Sequence, residues 1–286
     1  MALSSTVEAW RHRGTIRRVN GRDVFFVQAE GDGPPVVFLH GFPSSSFDWR
    51  ETLRYLDGRA WVALDFVGFG FSEKLREEND LRTQADVVEE LLSQLGMEQA
   101  RIVAHDMGTS VANELMARDL EGRLSFACDA ALLFNGSMVI DAASLTWEQK
   151  VLLGPGGSLL AGLSNRLSLK RGLGATFSEA HPLTADEARD QWALMSHDKG
   201  HRNLHRLISY VRQRTEFAQR WHGAIANWQG RLELAWGLKD PVATVAVLEA
   251  VKALRPSVTV HALPGLGHYP QIEDPARMAA IVRIVT

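Results

Sequence analysis

Asp106 is the acidic residue of this sequence whose setting best suits a nucleophile. It follows a short apolar run, Ile102-Val103-Ala104, and leads directly into a segment of helical pattern that begins at Met107. Small residues, Ala104 and Gly108, stand two positions away on each side. This spacing is typical of a strand–turn–helix elbow, in which small neighbours permit the sharp turn that exposes the central side chain. Alternatively, Asp106 only caps the following helix, because Asp is a common N-cap, and the segment alone does not decide between the two interpretations.

Two further residues, Asp240 and His268, are candidates for the partners that such a nucleophile needs. Asp240 follows the predicted strand Leu232–Trp236, and His268 lies in a glycine-rich loop after the predicted strand Val258–Val260. In open α/β sheets, loops of this kind meet at the carboxyl edge, where ligands bind. The order nucleophile, acid and histidine along the chain matches hydrolases that use such an elbow. The three residues together favour catalysis over capping.

Alternating strand and helix patterns surround these residues and must position them. Short apolar runs bounded by turn residues predict strands, and apolar residues spaced by three and four predict helices. The alternation predicts an α/β fold with a mostly parallel, doubly wound sheet. The predicted strands are Asp23–Val27, Val36–Leu39, Trp61–Leu64, Arg101–Ala104, Ala130–Phe134, Leu232–Trp236 and Val258–Val260; the predicted helices are Leu81–Leu95, Met107–Arg118, Val242–Ala253 and a last one from about Pro275.

The alternation stops after Gly136 and resumes near Leu232. Between them we find loops and helical segments rich in Arg, Trp and His, but no convincing buried strand. The simplest interpretation is one sheet domain, residues 1–138 and 229–286, that is interrupted by a helical cap domain, residues 139–228.

Several stretches of the sequence, taken in combination, resemble the motifs of a known family. They are residues 38–43 (FLHGFP), 63–72 (ALDFVGFGFS), 105–108 (HDMG) and 268–275 (HYPQIEDP), with 210–214 (YVRQR) and 220–221 (RW) in the predicted cap. The chain resembles the α/β-hydrolase superfamily, and within it the branch of epoxide hydrolases and haloalkane dehalogenases. It is most similar to the mesoderm-specific transcript (Mest-like) proteins. The resemblance covers nearly the whole chain and implies the α/β-hydrolase fold with an inserted helical cap.

The resemblance also implies a reaction through a covalent ester. Asp106 would attack an electrophilic carbon, and His268, supported by Asp240, would then activate a water molecule that attacks the ester carbonyl. The oxyanion formed there needs preorganised donors. The resemblance assigns them to the backbone N–H groups of Phe42 and Met107. The alternative interpretation of Phe42 and Pro43 is that they only pack the loop. This mechanism implies neither a metal nor another cofactor.

The electrophile is predicted from the groups that could stabilise the leaving atom. Haloalkane dehalogenases hold the halide with side-chain N–H groups, whereas Met107 and Phe42 fill those positions here, which disfavours halide displacement. Epoxide opening instead needs an acid that protonates the ring oxygen, and the related enzymes use one or two cap tyrosines. Of the three tyrosines, Tyr55, Tyr210 and Tyr269, only Tyr210 lies in the predicted cap. We interpret Tyr210 as the ring-opening acid, with packing of the cap against the core as the alternative.

The sequence therefore predicts an epoxide hydrolase that converts an apolar epoxide and water to a vicinal diol. The alternatives are a haloalkane dehalogenase, an esterase-like hydrolase, and a hydrolase-fold binding module without turnover, which the intact set of Asp106, Asp240 and His268 disfavours. An apolar pocket between cap and core is the expected binding site. The candidates for its lining are His40, Pro43, Trp147 and Trp192.

Composition and charge exclude several other classes of protein. The chain has 286 residues and a formal net charge of −3, with no basic stripe that would suit nucleic acid. Its apolar stretches fall well short of the roughly 20 residues that span a bilayer, and residues 1–14 lack the apolar core of a signal peptide. The single cysteine, Cys128, excludes an internal disulfide framework. We expect a cytoplasmic protein, monomeric or homodimeric, without membrane insertion.

His197, His201 and His205 recur every four residues, a spacing that can place metal ligands on one helix face. Gly200 interrupts the run, and no carboxylate completes a ligand set. We therefore favour surface histidines over a metal site.

Overall fold

Eight strands form a single sheet in the computed structural model, which describes residues 3–286. The strands are β1 (Thr15–Val19), β2 (Arg22–Ala29), β3 (Asp32–Leu39), β4 (Arg59–Leu64), β5 (Arg101–His105), β6 (Ala130–Phe134), β7 (Arg231–Gly237) and β8 (Thr259–Leu263). Their order across the sheet is β1-β2-β4-β3-β5-β6-β7-β8. The pairs β1–β2 and β2–β4 are antiparallel, and the other neighbours are parallel. The predicted mostly parallel sheet is confirmed.

Helices connect the strands along the described chain. They are α1 (Ser5–Arg13), α2 (Arg50–Arg54), α3 (Leu81–Gln94), α4 (Met107–Leu120), α5 (Trp147–Leu153), α6 (Gly157–Leu163), α7 (Arg166–Gly174), α8 (Ala185–Ser196), α9 (Leu204–Leu207), α10 (Tyr210–Glu216), α11 (Ala218–Asn227), α12 (Val245–Leu254), α13 (Pro270–Glu273) and α14 (Pro275–Val285). Short 3-10 helices lie at Ser46–Trp49, Ile140–Ala142 and His197–Asn203. Within residues 3–286, no helix combines the length and the apolar character needed to cross a membrane.

The local sequence explains where these elements begin and end. All five residues of β6 are buried, because a parallel sheet covered by helices on both faces needs apolar side chains on both. Helix α3 begins after Asp80, whose carboxylate accepts a hydrogen bond from the N–H of Arg82 at 2.8 Å. It ends just before Gly96, whose φ of +70° suits glycine at a helix terminus.

The register of the central strands brings their last residues to one level at the carboxyl edge. Leu39 of β3 pairs with Ala104 of β5, and His105 of β5 pairs with Phe134 of β6. Phe134 in turn pairs with Ala235 of β7. The loops that follow these strands therefore leave the sheet side by side, which is where ligands bind in open α/β sheets.

Between β6 and β7 lies a helical insertion, residues 135–230, in which the structure describes helices but no strand. It packs on α4: Glu114 accepts hydrogen bonds from Trp221 Nε1 at 2.9 Å and from Arg220 Nε at 2.8 Å. Leu152 of the insertion and Val111 of α4 belong to the same hydrophobic core. The division into a core domain, residues 1–138 and 229–286, and a cap domain, residues 139–228, stays a prediction.

Candidate active site

Asp106 lies at a strained turn between β5 and α4. Its φ of 44° and ψ of −110° are unusual for a residue with a side chain, and such strain is concentrated at functional sites. Asp106 occupies the N-cap position of α4, but its side chain makes no capping hydrogen bond. The interpretation of Asp106 as a simple helix cap is therefore wrong, and its carboxylate is available for other contacts.

Glycines surround this turn because no side chain would fit there. A Cβ atom on Gly108 would lie 2.4 Å from the backbone oxygen of Leu39. A Cβ atom on Gly41 would lie 2.8 Å from Asp106 Cβ and 2.9 Å from His105 Nδ1. Gly108 of the predicted elbow and Gly41 of the loop after β3 thus allow this loop to approach the turn at Asp106 closely.

The two carboxylate oxygens of Asp106 have different surroundings. The backbone N–H of Phe42 donates a hydrogen bond to Oδ2 at 3.0 Å. Met107 is the first residue of α4, so its N–H has no acceptor within the helix. These are the two N–H groups that the family resemblance implies for the oxyanion. Because Oδ2 accepts the hydrogen bond of Phe42, Oδ1 is the candidate oxygen for attack.

His268 and Asp240 form a close pair at the same edge of the sheet. The Nδ1 of His268 lies 2.7 Å from Oδ2 of Asp240. A carboxylate can only accept, so Nδ1 carries the hydrogen and Nε2 is free to act as a base. The N–H groups of Val242 and Ala243 donate to Oδ1 of Asp240 at 2.7 and 3.1 Å, which fixes the carboxylate.

Asn135 is a residue of this site that sequence reasoning missed. It directly follows β6, and its Nδ2 donates to Oδ2 of Asp240 at 2.8 Å. Its Oδ1 accepts from the N–H of Gly237 at 2.9 Å, so it also ties β6 to the end of β7. Its φ is 46°, a conformation that Asn tolerates better than most residues. Its position between Phe134 and Gly136, at the end of a buried strand, was the available signal.

Arg214 is the second missed residue, and it comes from α10 of the insertion. Its side chain is 2% exposed, and its Nη2 donates to the backbone oxygen of Asp106 at 2.9 Å. The same atom lies 3.4 Å from Oδ1 of Asp106, and Nε donates to Oγ of Ser110 at 2.9 Å. The guanidinium also lies 4.8 Å from the ring centre of Tyr210. The sequence signals for Arg214 were its place at the end of the motif 210–214 (YVRQR) and its spacing of four residues from Tyr210.

Opposing effects set the protonation of Asp106 and of the groups around it. Burial, the largest single effect, raises the pKa of Asp106. Several smaller effects, led by the positive charge of Arg214, together outweigh burial, so the pKa lies below its usual value. Burial lowers the pKa of His268, whereas the charge and the hydrogen bond of Asp240 raise it. The net result is a pKa above the usual value for histidine. For Tyr210, burial and then the charge of Asp106 raise the pKa. The site therefore holds an ionised carboxylate beside a protonated phenol.

His105 lies next to Asp106, but both of its ring nitrogens are hydrogen-bonded. Its Nε2 donates to the backbone oxygen of His268 at 2.7 Å, and its Nδ1 accepts from Gln271 Nε2 at 3.1 Å. Burial, and then the charge of His268, lowers the pKa of His105 to about 3, so the ring is neutral. His105 thus positions the loop that carries His268.

An apolar cleft opens between the sheet edge and the insertion. It has an empty volume of about 840 Å³, part of which is open to solvent. Pro43 lines it, as predicted from the sequence, together with Phe42 and His268. Apolar side chains of the insertion form the opposite wall: Leu152, Leu160, Leu169, Leu173, Met195 and Leu204.

Three predicted pocket residues lie elsewhere, and the structure corrects them. Trp147 is 67% exposed because it lies on the outer side of α5. Trp192 packs against His201, with ring centres 5.2 Å apart. His40 is fully buried, and its ring bridges the backbone of Gly41 and Phe66. None of these three residues is among the described residues that line the cleft.

Comparison with known proteins identifies the family. The model of the α/β hydrolase fold family matches residues 34–275, and the chain therefore belongs to this family. The predicted resemblance to Mest-like proteins is also confirmed. The chain is 35% identical to the mesoderm-specific transcript protein of Mus musculus over 291 residues, 96% of this chain and 85% of the relative.

Two further similarities extend this result. LipZ of Mycobacterium tuberculosis is 48% identical to the chain over 277 residues, 96% of each protein. The solved structure of epoxide hydrolase CorEH superposes with a TM-score of 0.76 and covers 95% of this chain and 97% of that one. Its sequence identity is 20%, so this likeness shows a shared fold.

Proposed function

We propose that the protein is an epoxide hydrolase that opens an apolar epoxide through an ester on Asp106. The observation that carries the proposal is the carboxylate at the elbow, with Oδ2 held by Phe42 N–H and a protonated Tyr210 nearby. The apolar wall of the cleft suits a substrate without charge. The similarity to CorEH in fold agrees with this assignment.

In the first half-reaction, Oδ1 of Asp106 attacks a ring carbon of the epoxide. A new C–O ester bond forms while the bond between that carbon and the ring oxygen breaks. The ring oxygen leaves with the electron pair and takes the hydroxyl proton of Tyr210. The product is a hydroxyalkyl ester of Asp106 beside a tyrosinate, whose negative charge lies near Arg214.

In the second half-reaction, Nε2 of His268 takes a proton from water, and the hydroxide adds to the carbonyl carbon of the ester. The negative charge develops on Oδ2, which faces the Phe42 N–H. Cleavage of the bond to Oδ1 releases the diol, which takes the proton from His268. The acid form of Asp106 passes its proton on to Tyr210, so all groups return to their starting states.

The test is a comparison of the wild type with His268→Gln, using styrene oxide. We expect diol from the wild type and a substrate-sized adduct on Asp106 that accumulates in the variant, measured by intact mass. A single turnover in ¹⁸O-water should place the label in Asp106 and leave the diol unlabelled. Label in the diol after one turnover would contradict the ester mechanism, because it would mean that water attacks the epoxide directly.

One observation favours a second candidate, displacement of a halide from a haloalkane. The buried cation of Arg214 lies beside Oδ1, where it could stabilise a departing anion. The positions of Phe42 and Met107 count against this candidate, since their side chains carry no N–H donors. Release of halide from a panel of haloalkanes, without diol from epoxides, would favour the dehalogenase.

A further inference from the structure

Four large apolar side chains protrude from consecutive helices of the insertion. Trp147 begins α5, Leu159 and Leu163 lie on α6, and Leu167 lies on α7. Their exposed fractions range from 67% to 76%, whereas no other large apolar side chain in residues 3–286 exceeds 59%. We call these four residues the apolar face. Several large apolar side chains exposed on consecutive helices mark an interaction surface more often than isolated exposed residues do.

The apolar face lies on the outside of the helices that wall the cleft. Leu163 and Leu167 are exposed, while their neighbours Ser164 and Ser168 line the cleft. Leu160, on the same helix as Leu159, also lines it. A surface that contacts the apolar face would therefore meet the protein at the helices that border the cleft.

Basic residues accompany the apolar face. Lys150, Arg166, Lys170 and Arg171 are all exposed, and the one exposed acid between residues 147 and 171 is Glu148. The whole chain has a net charge of −3, so this basic excess is local. Exposed Trp and Leu side chains, together with exposed Lys and Arg on the same helices, are typical of elements that lie in a membrane interface.

We propose that the apolar face docks on an anionic lipid surface. Leucines would enter the boundary between headgroups and acyl chains, Trp147 would lie at headgroup level, and the four basic residues would contact lipid phosphates. A symmetric dimer through the same face is disfavoured, because it would bring the four basic residues against their own copies. Docking would also place the cleft next to the lipid phase, in which apolar molecules dissolve. That an epoxide enters the cleft from the lipid rests on the proposed function.

Vesicle sedimentation of the full chain tests the docking without any turnover. The probes are vesicles of phosphatidylcholine alone and of phosphatidylcholine mixed with phosphatidylglycerol. We expect the wild type to bind the mixed vesicles and to dissociate as salt is added. Two double variants should bind these vesicles with an affinity lower by about tenfold or more. They are Leu163→Ser with Leu167→Ser, and Arg166→Glu with Lys170→Glu.

The matched control carries Ile16→Ser and Ile284→Ser, two exposed apolar residues outside the apolar face. It should bind as the wild type does, and the melting temperatures should show that all variants are folded. Failure of the wild type to bind the mixed vesicles, or equal loss in the control, would overturn the proposal. So would a concentration-dependent dimer that Leu163→Ser with Leu167→Ser abolishes, since a second copy would then cover the apolar face. A protein that binds vesicles but opens no epoxide would contradict only the proposed function.

Discussion

The Nη2 atom of Arg214 lies 2.9 Å from the backbone oxygen of Asp106 and 3.4 Å from its Oδ1. One side chain of the insertion therefore contacts both the strained turn and the charge of the candidate nucleophile. Both residues are buried, and an unpaired charge in that position would be costly. The pair stabilises the ionised carboxylate and joins the insertion to the elbow.

Replacing Arg214 with Met should raise the pKa of Asp106, because the counter-charge is lost. Ester formation in the proposed mechanism requires the ionised carboxylate, so its rate falls when the pH is lowered. In the variant this fall should occur at a pH higher than in the wild type by roughly one to three units. Rapid-quench measurement of the ester across the acid range checks this. Arg220→Met is the control, since Arg220 joins the insertion to Glu114 of α4 without contacting Asp106. An acid limb that does not move in Arg214→Met would contradict the role of the pair.

Tyr210→Phe keeps the aromatic ring but removes the hydroxyl proton that the epoxide oxygen needs. We expect ester formation from an epoxide to slow by roughly 10²-fold to 10⁴-fold. Attack on a haloalkane, where the leaving group needs no proton, should be much less affected. Tyr55→Phe, a change at a half-exposed tyrosine, serves as the control. Equal losses with both substrates would show that Tyr210 acts through packing.

Asn135→Gly removes the amide that donates to Asp240, while glycine still accommodates the positive φ. In the proposed mechanism, Asp240 and His268 act in ester hydrolysis. This half-reaction should therefore slow by roughly 10-fold to 100-fold through misplacement of the base. Ester formation should change little, and the adduct on Asp106 should become visible by intact mass. If both half-reactions slowed equally, Asn135 would be important for the fold of the site as a whole.

Gly41→Ala should disrupt the oxyanion donor, because the added methyl group would lie 2.8 Å from Asp106 Cβ. Displacement of the Phe42 N–H from Oδ2 should reduce kcat by roughly 10²-fold to 10³-fold. The control is Gly223→Ala in α11, where a Cβ atom meets nothing within 4 Å. It should raise the free energy of unfolding by about 0.5–1 kcal/mol and leave kcat unchanged. Turnover and chemical denaturation of both variants provide the comparison.

Asp48 predicts a pH dependence of stability that is separate from catalysis. It accepts hydrogen bonds from Ser44 Oγ and from Gln191 Nε2, and burial raises its pKa from 3.8 to about 7. Between pH 3.8 and about pH 7, Asp48 holds a proton in the folded protein that it has released in the unfolded chain. The contribution of Asp48 is therefore fully present below about pH 4 and is lost as the pH rises to about 7.

Asp48→Asn should remove this contribution, so the difference in free energy of unfolding between wild type and variant should change across that range. Urea denaturation at several pH values measures it. A difference that stays constant from about pH 4 to about pH 7 would mean that Asp48 is ionised in the folded protein.

Elements with strong local patterns could be predicted from the sequence. The predicted strand Ala130–Phe134 coincides with β6, and the predicted start of α3 at Leu81 is correct. A continuous apolar run predicts a buried strand, and apolar residues spaced by three and four predict a helix, so both elements can be recognised from the local sequence. Strand β1 was missed because its sequence includes Arg17 and Arg18 and only Val19 is fully buried, so it pairs at the sheet edge without an apolar pattern.

The sequence by itself determined the family and the order of the candidate nucleophile, acid and histidine along the chain. It also placed Asp106, Asp240 and His268 at the ends of strands. The tertiary structure alone decided what surrounds them. Arg214 and Asp106 are 108 positions apart, and their contact depends on how the insertion packs on α4. The same packing exposes Trp147 and leaves it outside the cleft. Contacts of this kind leave no local signature, because they depend on the relative placement of distant elements.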